Sequence, residues 1–153
     1  VATTIYFSGS ITGGRADVGL YGRIVAALEA DGYRVLAGSV AAEHVTDGGD
    51  ALDARFIFDR DMGWVDEADV LVAEVSTPSH GVGYEIAAAR YRNRIPVICL
   101  YRREYTKRCS AMLSGDRGIT LIEYEDEAVM LDRLRESLRT AGRSTARLPS
   151  ERS

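Results

Sequence analysis

The stretch Ser79-His80-Gly81-Val82-Gly83-Tyr84-Glu85 joins an apolar run, Val70-Leu-Val-Ala-Glu-Val75, to a helical pattern from Ile86 to Arg92. Glycines and a serine at a strand-to-helix junction let backbone N–H groups approach an anion, and the helix N-terminus favours that charge. Glu85 is expected in the first turn of the helix, at the carboxyl edge of a sheet, where open α/β folds bind ligands. Taken alone, the stretch also fits a plain capped helix, with Ser79 near the cap and Glu85 set against the dipole.

A second glycine-rich stretch is Tyr6-Phe-Ser-Gly-Ser-Ile-Thr-Gly-Gly-Arg15. Ser8, Ser10 and Thr12 offer hydroxyl donors, Gly13 and Gly14 allow close backbone approach, and Arg15 could clamp a phosphate. The spacing is neither a Walker A motif nor Gly-x-Gly-x-x-Gly, so nothing points to a dinucleotide. An ordinary strand-to-helix turn with surface hydroxyls explains this stretch equally well. A third element is Asp61, in Arg55-Phe-Ile-Phe-Asp-Arg-Asp-Met-Gly-Trp64. Asp59 and Asp61 cannot share a helix face. Ile57, Phe58, Met62 and Val65 mark the expected buried side, and Asp61 borders it more closely than Asp59. If Asp61 reaches the cleft it gives Glu85 a partner, and two carboxylates flanking one bond are the usual equipment for glycosidic cleavage.

These residues need a scaffold, and the chain supplies one. Short apolar runs at Thr4–Phe7, Tyr33–Leu36, Val70–Val75, Pro96–Leu100 and Ile119–Ile122 alternate with helical patterns at Asp17–Ala30, Ala51–Ala68, Val82–Tyr91 and Glu127–Ala141. In the last of these, Val129, Leu131, Leu134 and Leu138 are the apolar positions. The alternation predicts an α/β fold, a doubly wound five-stranded parallel sheet with helices on both faces. The simplest strand order, 2-1-3-4-5, is flavodoxin-like and sets the switch point between strands one and three. Both glycine-rich stretches follow those strands, so they should face one cleft. The long polar connection from Arg102 to Gly118 carries a short helical pattern around Ser110–Leu113. Residues 1–141 are expected to form the domain. Residues 142–153, rich in Arg, Ser and Thr, read as a disordered tail.

Composition narrows the function classes. The 153 residues are 46% hydrophobic and 27% charged, ordinary for one globular domain. A net charge of −4 gives no reason to expect a nucleic-acid polymer as partner. No apolar run is long enough to cross a membrane. No signal peptide is visible before the first strand, so a cytoplasmic location is expected. Cys99 and Cys109 do not make a disulfide framework, and with His44 and His80 they do not make a zinc site. Cys99 is expected as a small buried residue of strand four.

Taken together, the ordered motifs Tyr6–Ile11, Gly13–Arg15, Asp61–Trp64, Ala68–Val75, Pro78–Glu85 and Ser110–Met112 resemble one known family. The chain is similar to the 2′-deoxynucleoside 5′-monophosphate N-glycosidases, a branch of the nucleoside 2-deoxyribosyltransferase superfamily. The resemblance spans strand one to strand five. It implies a single Rossmann-like domain that works as a homodimer and hydrolyses the base–sugar bond of nucleoside 5′-monophosphates without metal or organic cofactor. By that similarity Glu85 would be the nucleophile and Asp61 the second carboxylate, with Tyr6 beside them. Ser79 and Gly81 would hold the 5′-phosphate. Tyr6, Ser10 and Ile11 would line sugar and base, and Ser110, with Met112 nearby, would reach the phosphate of the neighbouring subunit.

Thr12 stands where mammalian-type members of this family tend to have arginine, Ser39 falls where a histidine after strand two is expected, and His44 is too far along to replace it simply. Both departures bear on the preferred nucleotide and leave the reaction type intact. The resemblance also admits a ribonucleotide N-glycosidase acting on CMP, a deoxyribosyltransferase and a nucleotide sensor without turnover. The helix dipole is expected to keep Glu85 ionised.

Overall fold

A computed structural model of the protein describes residues 2–11, 15–38, 53–103 and 108–145, with the side chains of 15, 16 and 143–145 excepted. Strands β1 (Thr4–Gly9), β2 (Arg34–Ala37), β3 (Val70–Glu74), β4 (Val97–Arg102) and β5 (Ile119–Tyr124) form one sheet in the order β2-β1-β3-β4-β5. Every neighbouring pair is parallel. Helices α1 (Arg15–Ala30), α2 (Ala54–Glu67), α3 (His80–Ala87), α4 (Ala111–Ser114) and α5 (Glu127–Thr145) connect them. The expected α/β class and strand order are therefore the observed ones.

Residue alternation in the central strands divides the core in two. Ile5, Phe7, Val70, Val72, Ile98 and Leu100 face α1 and α5, where Tyr21, Ile24, Leu28, Met130, Leu134 and Leu138 are buried. Tyr6, Leu71, Ala73, Val97 and Cys99 face α2 and α3, against Met62, Val65, Val82 and Ile86. Strands buried on both faces read as continuous apolar runs, which is why β1, β3 and β4 were legible. Cys99 is fully buried, and its apolar surroundings push its thiol up to about 12.

Four local expectations are corrected. Phe58 is not on the buried side of α2; it is exposed and meets the ring of Tyr84 edge-on, with centroids 6.0 Å apart. On α5 the buried stripe is Met130, Leu134 and Leu138, whereas Val129 is exposed. That helix runs past Gly142 to Thr145. Residues 146–153 lie outside the described residues. The third helical pattern is two pieces, α3 followed by a π-helical segment, Ala88–Asn93, which ends at Arg94 in a left-handed conformation (φ 56°). Among the described residues no helix is long and apolar enough to cross a membrane.

Candidate active site

The switch point lies between β1 and β3, whose register pairs Ser8 with Ala73 and Gly9 with Glu74. On β1, Tyr6 and Ser8 are buried, and Ser10 follows them, 1% exposed. Gly9 has a specific reason to be glycine. A Cβ there would stand 2.7 Å from the Tyr21 ring, whose hydroxyl donates to the Ser10 carbonyl at 3.2 Å. Tyr21 thus sets the direction in which the chain leaves β1. Ile11 is exposed at the mouth. Thr12, Gly13, Gly14, Ser39 and His44 lie outside the described residues, and Arg15 opens α1 with its side chain not described.

Across the switch point, Ser79 is the N-cap of α3 and accepts from the Val82 N–H at 3.4 Å. The helix starts at His80, earlier than its apolar pattern suggested, so Gly81 and Gly83 lie within it. Glu85 consequently sits in the second turn, not the first. There the dipole has largely faded.

Glu85 turns back toward β1. Ser8 Oγ donates to Glu85 Oε2, and the Tyr6 hydroxyl donates to the same carboxylate. From α2, Asp61 faces this group, its side chain 16% exposed against 66% for Asp59. The structure thus brings Tyr6, Ser8, Asp61 and Glu85 together. Burial is the largest influence on Glu85, and Asp61's negative charge adds to it. Hydrogen bonds from Ser8 and Tyr6 and the charge of Arg60 oppose them, and the carboxyl is pushed up to about 7. Desolvation, not the dipole, therefore governs this carboxyl, and the expectation that the dipole keeps it ionised is corrected. Burial and the two carboxylates also hold the Tyr6 phenol far above its ordinary value, so Tyr6 stays a donor. A carboxyl poised near neutrality beside a second carboxylate is equipped for nucleophilic or acid/base work on a small ligand.

The loop after β3 and the first turn of α3 also line a cavity of about 930 Å³. Ser79, Gly81, Ser110 and Met112 share it with Tyr101, Arg108 and Cys109. The two groups of expected site residues meet at α3, whose first turn lines the cavity and whose second turn carries Glu85. Among the described residues no group of three or more His, Cys, Asp and Glu side chains could hold a metal ion.

Two features escaped the sequence reading. The first is Arg60, whose Nε donates to Asp61 Oδ1 at 2.8 Å. Its one sequence signal is adjacency to Asp61. The second is Glu74, fully buried at the end of β3. Ser76 Oγ donates to it, as does the Tyr124 hydroxyl at 3.2 Å. Ser76 Oγ also accepts from the Arg102 N–H at 2.8 Å, and Thr77 Oγ1 donates to Asp17 at 2.8 Å. These contacts pin the loop after β3 to α1 and β4 and the end of β3 to β5. The signal was an acid ending an otherwise apolar strand, and it was read only as part of a motif.

Comparison with known proteins follows the same lines. The family model for nucleoside 2-deoxyribosyltransferase matches residues 5–142. A protein of Syntrophotalea carbinolica, placed by its name among the 2′-deoxynucleoside 5′-phosphate N-hydrolases, is 46% identical, covering 88% of this chain and 93% of its own. The 5-hydroxymethyl-dUMP N-hydrolase of Mus musculus is 38% identical over 98% of this chain and 90% of its own. Among solved structures, a Clostridium botulinum CMP N-glycosidase superposes with a TM-score of 0.65 at 17% identity, covering 88% of this chain and 99% of its own, a likeness of fold. The sheet order, the carboxylate cluster at its switch point and these matches place the chain in the nucleoside 2-deoxyribosyltransferase family.

Proposed function

We propose that the protein hydrolyses the N-glycosidic bond of nucleoside 5′-monophosphates, with 2′-deoxyribonucleotides preferred, giving free base and sugar 5-phosphate. The observation that carries this reading is Glu85, a half-buried carboxyl held by the Ser8 and Tyr6 hydroxyls with Asp61 beside it. The names of the curated relatives, which are N-hydrolases of 2′-deoxynucleotides, support the same substrate class.

The chemistry runs in two displacements. A Glu85 carboxylate oxygen forms a bond to C1′ as the C1′–N bond breaks, and its electron pair leaves with the base. The base takes up one proton from a water that the Asp61 carboxylate holds. Carbon C1′ becomes oxocarbenium-like on the way, and the adjacent carboxylates stabilise that positive charge. A water then adds to C1′ as the C1′–O bond to Glu85 breaks, its proton passes by way of the Asp61 carboxylate to solvent, and the sugar 5-phosphate is released with Glu85 ionised again. Ser79 and Gly81 hold the phosphate at the start of α3, where backbone N–H groups point outward. This grip lies away from the reacting bond and contributes positioning.

Incubation with dGMP, dCMP, 5-hydroxymethyl-dUMP and CMP, with chromatography of the free base, tests the reading. Base is expected from at least one deoxynucleotide, and release only from CMP would overturn the sugar preference. No base from any of them would remove the activity. A new nucleotide on adding an acceptor base would make the protein a transferase.

The working form is a homodimer in which Ser110 completes the neighbouring site. Exposed Tyr91 and Met112, which line the cavity that holds Ser110, support such a face. A second reading, that Ser110 serves its own chain, is favoured by its sharing a cavity with Ser79 of the same chain. Mixing Ser110→Ala chains with Glu85→Gln chains separates the two. Exchange between subunits regenerates one intact site per mixed dimer if Ser110 serves the neighbour, and activity then exceeds that of either variant alone. No gain assigns Ser110 to its own chain.

A further inference from the structure

Arg60 is held in an unusual way. Adjacent residues on a helix point about 100° apart, so neighbours such as Arg60 and Asp61 do not ordinarily pair. Here the arginine folds back, and its Nε meets Asp61 Oδ1 at 2.8 Å with the two side chains only 22% and 16% exposed. One turn further on, Trp64 supplies the surface that keeps it there. The guanidinium carbon lies over the indole, 4.8 Å from the ring centroid. Trp64 in turn meets the ring of Tyr6, with centroids 6.0 Å apart. The other wall is Gly38, next after β2. A Cβ there would stand 3.2 Å from Trp64, 3.3 Å from an Arg60 nitrogen and 3.5 Å from Asp61. A larger residue would push against the arginine, the indole and the carboxylate together.

Among the described residues, the groups that act on Glu85 are Tyr6 and Ser8 from β1 and Asp61 and Arg60 from α2. Of these only Arg60 is positive. Two carboxylates in one low-dielectric pocket repel each other, and one cation between the helix and the sheet offsets that repulsion. We propose that Arg60 is a positioning residue of the carboxylate pair, fixing the orientation of Asp61 and supplying the positive charge that lets Glu85 and Asp61 be negative together. This rests on reading those two carboxylates as the working pair. The direction of Arg60's influence agrees, since its charge lowers both the Glu85 carboxyl and the Tyr6 phenol against burial.

The test is Arg60→Gln, followed in two ways. In nucleotide hydrolysis the acid limb of kcat/KM is expected to move to higher pH by about half a unit or more. The loss relative to wild type is then several-fold near pH 6 and narrows as pH rises. Arg60→Lys, which keeps the charge, returns the limb most of the way. A loss of equal size at every pH would overturn the proposal, because a merely structural arginine would give that. Independently of activity, the Glu85 carboxyl carbon is followed by NMR through a pH titration. Its midpoint is expected to rise in Arg60→Gln, and an unchanged midpoint overturns the proposal even in an active enzyme. If wild type releases no base, the functional reading fails while the titration still answers for Arg60. Trp64→Leu keeps the arginine but removes the ring that holds it. It is expected to move the titration the same way by less, and it carries the test should Arg60→Gln not fold.

Discussion

Glu85→Gln is expected to lower kcat for base release by at least about 10³-fold and to leave nucleotide binding within a few-fold of wild type. The amide keeps the volume of the carboxyl and can still accept from Ser8 Oγ, so the pocket stays filled and its hydrogen bonds remain satisfied. What is lost is the negative oxygen proposed to bond to C1′. Ser79 and Gly81, the proposed phosphate contacts, lie at the start of α3, and the substitution leaves them in place. Stopped assays give kcat, and calorimetry with the intact nucleotide gives affinity. Retained turnover removes Glu85 from the nucleophile role. Lost turnover with lost binding makes it a structural residue.

The second large effect is expected at Asp61, and it carries a direction in pH. The reactive form of Glu85 is the ionised one, and burial pushes this carboxyl up to about 7. Activity in wild type therefore falls about tenfold for each pH unit below that value. Asp61→Asn is expected to lower kcat by about 10²-fold at neutral pH, because the water that protonates the departing base loses the carboxylate that holds it and the sugar loses a positioning contact. The negative charge of Asp61 is also one of the influences that raise Glu85, so its removal moves the acid limb to lower pH. Arg60→Gln moves the same limb the other way. Opposite shifts from adjacent residues on one helix separate an electrostatic effect from a general loosening of α2. A rate–pH profile of each variant between about pH 5 and 9 checks this. Coincident acid limbs would show that neither charge reaches Glu85.

The architecture was readable where one physical pattern dominated. The strands β1, β3 and β4 are buried on both faces and carry unbroken apolar runs, so they and their order followed from the alternation with helices. The cap at Ser79 was also visible, because a serine before a helical pattern has few other uses. Its consequence was not. The helical pattern was expected from Val82, yet the cap starts the helix at His80 and sets Glu85 two residues further from the dipole. The charge state of Glu85 was misjudged for a related reason. A dipole can be inferred from position along a helix, whereas desolvation depends on which strands lie beneath it.

Contacts across elements were the least legible part of the site. Nothing local to Arg60 announces that Trp64 will stack on it or that Gly38, far away in sequence, will leave it room. Glu74 is similar, since its hydroxyl donors come from the next loop and from β5. Phe58 shows the converse case. Its apolar type suggested the core, but its place on α2 turns it toward Tyr84 at the surface.

The central claim is that Glu85 forms a covalent bond to the sugar. Its most direct test is intact-mass and peptide mass spectrometry after incubation with a 2′-fluoro-arabino nucleoside 5′-monophosphate. The fluorine slows release of the sugar from the enzyme by destabilising the oxocarbenium-like transition state. One added fluoro-sugar phosphate per chain is predicted, on the peptide containing Glu85 and absent in Glu85→Gln. Release of base with no mass added to the protein, or the sugar on a peptide without Glu85, would contradict the account.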